Sequence, residues 1–190
     1  MSLLDVFNDL KRRVDMTRRA RIKASSRLRE KHEFFEKVSH FFSVFVLVLS
    51  IWFINSDNSD ITKILLIASL ALTFFSMFLG VKNYKERASN FETNYQQLSV
   101  LLNKLQRLET KPHLITETKL KELHREYEKL LIDKENHLDI DYMVANDEQV
   151  KKHKHEIIKY KQKELFIKIL VITSPVIFML AIYLIKKYVE

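Results

Sequence analysis

Val38 to Ile54 reads VSHFFSVFVLVLSIWFI, 17 residues without Asp, Glu, Lys or Arg. The polar turn NSDNSDITK (55–63) follows, and then Ile64 to Val81, ILLIASLALTFFSMFLGV, 18 residues equally free of those charges. As helix, each run is roughly 26 Å long, close to the ~30 Å hydrocarbon core of a bilayer. A soluble bundle can bury two apolar helices, but an uncharged run of about 18 residues is the length that argues for a membrane span. Two spans joined by a short polar turn make a transmembrane hairpin.

Leu165 to Ile185, LFIKILVITSPVIFMLAIYLI, is a third apolar block of 21 residues interrupted by Lys168 and Pro175. Lys168 sits one turn from the polar edge, where its stem can snorkel, and membrane helices tolerate a proline at mid-span with a kink. The block reads as a third, C-terminal span. A re-entrant or surface-lying segment is the alternative.

The 190-residue composition points the same way, with one glycine (Gly80), two prolines (Pro112 and Pro175) and no cysteine. A β-rich fold needs turn residues every few positions, and phosphate-cradling loops need glycines. Both are excluded, so the chain is an all-α membrane protein. Disulfides, thiol chemistry and cysteine metal sites are excluded with them.

Basic residues beside the spans set the orientation. Residues 1–37 hold 11 Lys/Arg against 6 Asp/Glu. Lys82, Lys85 and Arg87 follow the second span, six lysines between 151 and 163 precede the third block, and the hairpin turn holds Asp57 and Asp60 with only Lys63. The N-terminus and residues 82–164 are therefore expected in the cytoplasm of a multi-pass inner-membrane protein, with 55–63 outside. A spanning third block leaves Lys186 and Lys187 outside, against this bias. Residues 1–37 contain no apolar stretch of signal-peptide type.

The hairpin is flanked by long helical patterns. Leu3, Phe7, Leu10, Val14, Ala24, Leu28, Phe35 and Val38 recur at helical spacing, with Thr17, Arg21 and Lys31 as polar interruptions of the stripe. This helix is predicted to run directly into the first span. The second span likewise continues through Tyr84, Ala88, Phe91, Tyr95, Leu98, Leu102 and Leu105, a regular 4,3 seam. The two extensions are expected to pair antiparallel, and Pro112 to end the second. A further helix over about 116–134 places Leu120, Leu123, Tyr127, Leu130 and Leu131 inward, with Thr116 as N-cap and Glu117–Lys121 as an i,i+4 pair. Residues 111–148 carry 6 basic and 10 acidic groups, so this segment is expected to dock on the basic N-terminal helix. The chain thus divides into 1–110 (helix, hairpin with spans 38–54 and 64–81, and extension), 111–164 (helical module) and 165–185 (third span).

Catalytic and metal chemistry find no foothold. HREYE at 124–128 lacks the second histidine of a zincin helix, and His153 and His155 point apart at i,i+2. Asp139 and Asp141 suit turn and cap chemistry better than paired catalysis. Nothing requires a cofactor, and the chain is read as a non-enzyme. The basic run 11–37 suits anionic lipid beside a span, and its thin aromatic content argues against nucleic acid. Within the spans, Ser69, Thr73, Ser76 and Gly80 recur at 4, 3, 4, and Ser39, Ser43 and Ser50 share a face of the first span. Such stripes serve helix packing in lipid, or line an oligomeric pore.

TRRARIKASSRL (17–28), KNYKERASNFETNYQQLSVLLNKL (82–105) and YEKLLIDKENHLDIDY (127–142) together resemble the SLATT family, two-transmembrane effectors associated with SMODS and SLOG proteins. The pattern is most similar to the subfamily often encoded beside reverse transcriptases. The matching positions include Arg21, Ser25 and Arg27, then Asn90 and Tyr95, then Asn136, His137, Asp141 and Tyr142, and the resemblance marks them as a regulatory interface. It implies a homo-oligomeric membrane effector of bacterial anti-phage defence. A sensor or nucleotide-producing partner would trigger pore formation or membrane disruption and halt the infected cell. The alternative is a non-conducting anchor that recruits an enzyme such as a reverse transcriptase.

Overall fold

The computed structural model describes residues 2–55 and 59–189, without the side chains at 178, 179 and 181–189. Asp57 of the hairpin turn, and the side chains at the end of the third apolar block, therefore lie outside the described residues. The elements are α1 (Leu3–Trp52), α2 (Ser59–Lys82), α3 (Tyr84–Glu109), a 3-10 turn (Pro112–Leu114), α4 (Glu117–Ile132), α5 (Asp139–Met143), α6 (Asp147–Lys152) and α7 (Lys154–Val189). All are helical. The chain forms two compact units, Met1–Asn146 and Asp147–Glu190, so the segment 111–164 is divided between them.

In the first unit, α1 is one helix of 50 residues, about 75 Å long. Ser2 starts it with a reciprocal cap. Its Oγ accepts the Asp5 N–H at 3.2 Å, and the Asp5 carboxylate accepts the Ser2 N–H at 2.8 Å. Two stretches of α1 pack on α3. Phe7, Leu10 and Val14 meet Leu98, Leu101 and Leu105, and Leu120, Leu123 and Tyr127 of α4 complete that core. Nearer the hairpin, Ala24 and Leu28 meet Ala88 and Phe91. The pairing is antiparallel, tied by Lys11–Glu109 at 2.6 Å toward one end and Arg29–Glu92 at 2.5 Å toward the other.

Pro112 closes α3 as expected, its ring opening a new turn instead of extending the old one. Thr116 caps α4 by accepting the Lys119 N–H at 3.3 Å. The ion pair on that helix is Lys119–Glu122 at 2.7 Å, rather than the anticipated Glu117–Lys121. Leu131, expected inside, is 37% exposed, because it lies one residue off the 120–123–127–130 stripe.

Two findings depart from the expected seam of the second helix. The buried position is Asn94, not Tyr95, because the Asn94 amide has a partner on α4 described below. The helix is also broken at its membrane edge. Asn83 adopts φ 46° and ψ 42°, the left-handed region. Its N–H still reaches the Leu79 and Gly80 carbonyls at 3.2 Å, and its side chain meets Glu86. α2 ends there and α3 begins one residue later.

Among the described residues, two helical stretches, Leu3–Trp52 and Ser59–Glu109, are long and apolar enough to cross a membrane. Their apolar windows are 0% buried, which distinguishes them from the core helices of a soluble bundle. Leu47, Leu66, Phe74 and Met77 are each more than half exposed, a continuous apolar surface suited to lipid. In the second unit, α7 runs without interruption through Pro175. The Thr173 and Ser174 hydroxyls donate to the carbonyls of Ile169 and Val171 there.

Candidate functional site: a buried polar junction

The polar interruptions of the α1 stripe are where α1 grips the rest of its unit. The Thr17 hydroxyl pairs with the Tyr127 hydroxyl at 2.8 Å. One turn on, Arg21 is fully buried. Its two terminal nitrogens donate to the Leu130 and Leu131 carbonyls at 3.2 and 3.3 Å. These belong to the last turn of α4, where carbonyls lack helical partners and the helix dipole favours a cation. Asn94 of α3, also fully buried, donates to the same Leu130 carbonyl at 2.9 Å. Two helices, α1 and α3, therefore converge on the α4 terminus. Burial holds the Arg21 guanidinium below its usual pKa, with Tyr127 and Asp133 opposing.

A second clamp lies two turns along α1. Arg27 donates from Nε and Nη2 to the two carboxylate oxygens of Asp141 at 2.8 and 2.9 Å. Asp141 also accepts the Leu138 N–H at 3.0 Å, capping its own short helix α5. Cap chemistry is thus the role of Asp141, and the acidic segment does meet the basic helix, at Arg27. Arg87 and Glu135 add a partly exposed pair at 3.0 Å. Between the clamps, the buried Ser25 hydroxyl donates to the Ala88 carbonyl at 2.9 Å.

Of the sequence-predicted interface positions, Arg21, Ser25, Arg27, His137 and Asp141 gather at this junction. Asn136 is exposed, its Oδ1 accepting the His137 N–H at 3.1 Å. Tyr142 is 39% exposed and Asn90 half-buried. Tyr95 points instead to Glu92, with its hydroxyl 3.4 Å from the carboxylate. Burial and that carboxylate raise the Tyr95 pKa above the usual phenol range. Sequence reasoning missed Asn94. Its signal was a small amide at a buried phase of the α3 seam, obscured by the adjacent tyrosine.

The junction is not fully satisfied. Arg21 Nε, Asn94 Oδ1 and His137 Nδ1 are buried without a hydrogen-bond partner among the described residues. Burial, then the Arg21 charge, pushes the His137 pKa below its ordinary value, with Asp141 and Asp139 opposing. No group of three or more His, Cys, Asp or Glu able to hold a metal ion occurs among the described residues.

In the hairpin, α2 shows its half-buried face through Leu65, Ala68, Leu72, Phe75 and Leu79, and Phe75 meets Phe35 of α1 edge-on at 6.2 Å. Ser69, Thr73, Ser76 and Gly80 lie beside that face and are exposed. Ser76 alone reaches across, its hydroxyl 3.3 Å from that of Ser39. Ser69 and Thr73 donate to the Leu66 and Ser69 carbonyls at 2.8 and 3.0 Å, and Ser43 and Ser50 to the Ser39 and Val46 carbonyls at 2.9 and 2.8 Å.

An apolar hairpin whose two helices extend into a packed helical module defines an all-α membrane protein of the two-span type. The chain matches the model of SMODS and SLOG-associating 2TM effector domain family 5 over residues 4–185, and it belongs to that family. The family is described as a two-transmembrane effector domain. Neither the curated proteins nor the solved structures yield a match.

Proposed function

We propose that this protein is an oligomeric membrane effector of bacterial anti-phage defence, which forms a pore or disrupts the inner membrane when a partner sensor or nucleotide-producing enzyme triggers it. The observation that carries this reading is the hydroxyl stripe of α2. Ser69, Thr73, Ser76 and Gly80 stay exposed beside the intramolecular packing face, so the stripe is open to other copies, where it can pack hairpins or line a path. The buried polar junction is the element a trigger would act on. A partner that prefers one arrangement of α1 against α4 and α5 biases the helices leading directly into the spans. In this reading residues 82–164 and the N-terminus are cytoplasmic, and residues 165–185 form a third span.

The test replaces Ser69, Thr73 and Ser76 together by leucine, filling the stripe with apolar volume and favouring a dewetted, closed path. Expressed with its trigger, the wild-type chain should depolarise cells and the triple variant should not, at equal membrane level and crosslinked oligomer size. Persistent depolarisation would remove this face from the path. A second reading, a non-conducting anchor that recruits a partner enzyme such as a reverse transcriptase, has its own support. The hydroxyls of Ser43, Ser50, Ser69 and Thr73 already bond within their helices, so they can face lipid at little cost. A wild-type chain that retains its partner at the membrane but never depolarises it would decide for the anchor.

A further inference from the structure

A cleft of about 350 Å³ opens between α1 and the junction of α2 with α3. Its lining comes from residues 32–40 and 76–85, and these straddle the borders of the uncharged runs, which begin at Val38 and end at Val81. The polar members of the lining lie within about 9 Å of those borders along their helices, the depth of a headgroup layer. We propose that this cleft binds the headgroup of a zwitterionic phospholipid carrying a primary ammonium, as in phosphatidylethanolamine. The proposal rests on the two spans and not on the pore reading.

The chemistry of the walls selects that headgroup. The cleft presents one carboxylate, Glu36, and one ammonium, Lys85. Glu36 lies 3.5 Å from His32 Nε2, and Lys85 makes no ion pair among the described residues. The hydroxyls of Ser39 and Ser76 lie between the helices as further donors. A phosphodiester can pair with Lys85 and the serine hydroxyls while the lipid ammonium donates to Glu36. A phosphatidylglycerol headgroup offers Glu36 only neutral hydroxyl donors and no compensating positive charge, and a choline headgroup has no N–H to donate. Phe35 and Tyr84, stacked with centroids 6.1 Å apart, supply apolar wall beside the polar groups. Gly80 lines the cleft, and a Cβ there would meet no atom within 4 Å. The packing therefore tolerates a larger residue at Gly80, and a leucine side chain there would take up cleft volume.

The experiment is native mass spectrometry of the full-length chain in detergent. It is offered phosphatidylethanolamine, phosphatidylglycerol or phosphatidylcholine with identical acyl chains. Phosphatidylethanolamine should be retained about tenfold more strongly than the other two, the worth of one charge-assisted hydrogen bond. E36Q should abolish its advantage over phosphatidylglycerol, and K85Q should weaken both. G80L should reduce retention of all three by occupying the cleft. Unchanged helical circular dichroism and oligomer size in each variant show that folding is intact. Equal retention of the three lipids overturns the proposal. So does preference for phosphatidylglycerol, or a phosphatidylethanolamine preference that survives E36Q and G80L.

Discussion

Arg27 grips Asp141 with both arms of its guanidinium, and the Asp141 side chain is only 2% exposed. The pair joins the middle of α1 to a short helix more than a hundred residues later. Removing Arg27 strands the Asp141 charge in a buried setting, so R27A should destabilise the first unit by about 2–4 kcal/mol, and D141A, which removes the pair together with the α5 cap, should also destabilise it. The double variant R27A/D141A should lose clearly less than the sum of the two single changes. Thermal unfolding in detergent, run as a double-mutant cycle, measures the coupling.

His137 makes that unit sensitive to acid. Its pKa is depressed in the fold by burial and by Arg21, while in the unfolded chain it sits near ~6.5. Between those two values the unfolded chain binds the extra proton. Stability is therefore complete above the unfolded value and declines as the pH falls through it toward the folded one. Between pH 7.5 and 5.5 the wild-type Tm should drop further than that of H137Q. Parallel Tm curves would remove His137 from the pH response.

Asn83 carries the strained backbone at the membrane edge. A left-handed conformation costs most residues about 1–2 kcal/mol, less for asparagine and nothing for glycine. N83G should preserve stability, and N83V should lower it by about 1–2 kcal/mol or straighten α2 into α3. Thermal unfolding reports the first outcome. Distances between spin labels on α2 and α3 report the second.

Topology can be read by labelling single cysteines with an impermeant reagent in intact cells. A cysteine at Ser56 should react from outside, and one at Asn103 should be protected. Reversed labelling would invert the hairpin. At Val189, outside access supports a third span, and protection supports a re-entrant or surface segment.

The hairpin, the single long α1 helix, the α3 seam and the caps at Thr116 and Pro112 were all legible in the chain. Each depends on local chemistry: the length of an uncharged run, a helical period, a missing backbone N–H. Local pattern also told true about the charge asymmetry, since the acidic segment meets the basic helix at Arg27. What the periodicity could not rank was the polar residues inside the stripes. Thr17 and Arg21 read as weaknesses of the α1 seam, and Asn94 was passed over for Tyr95. Their value depends on partners 36 to 110 residues away in the chain, at Tyr127, Leu130 and Leu131. A buried polar group is favourable only when a specific acceptor faces it. Helical period fixes which side of a helix faces inward. Only the tertiary packing decides that a free helix terminus waits there, and so turns Thr17 and Arg21 of α1 and Asn94 of α3 into the joint that holds the unit together.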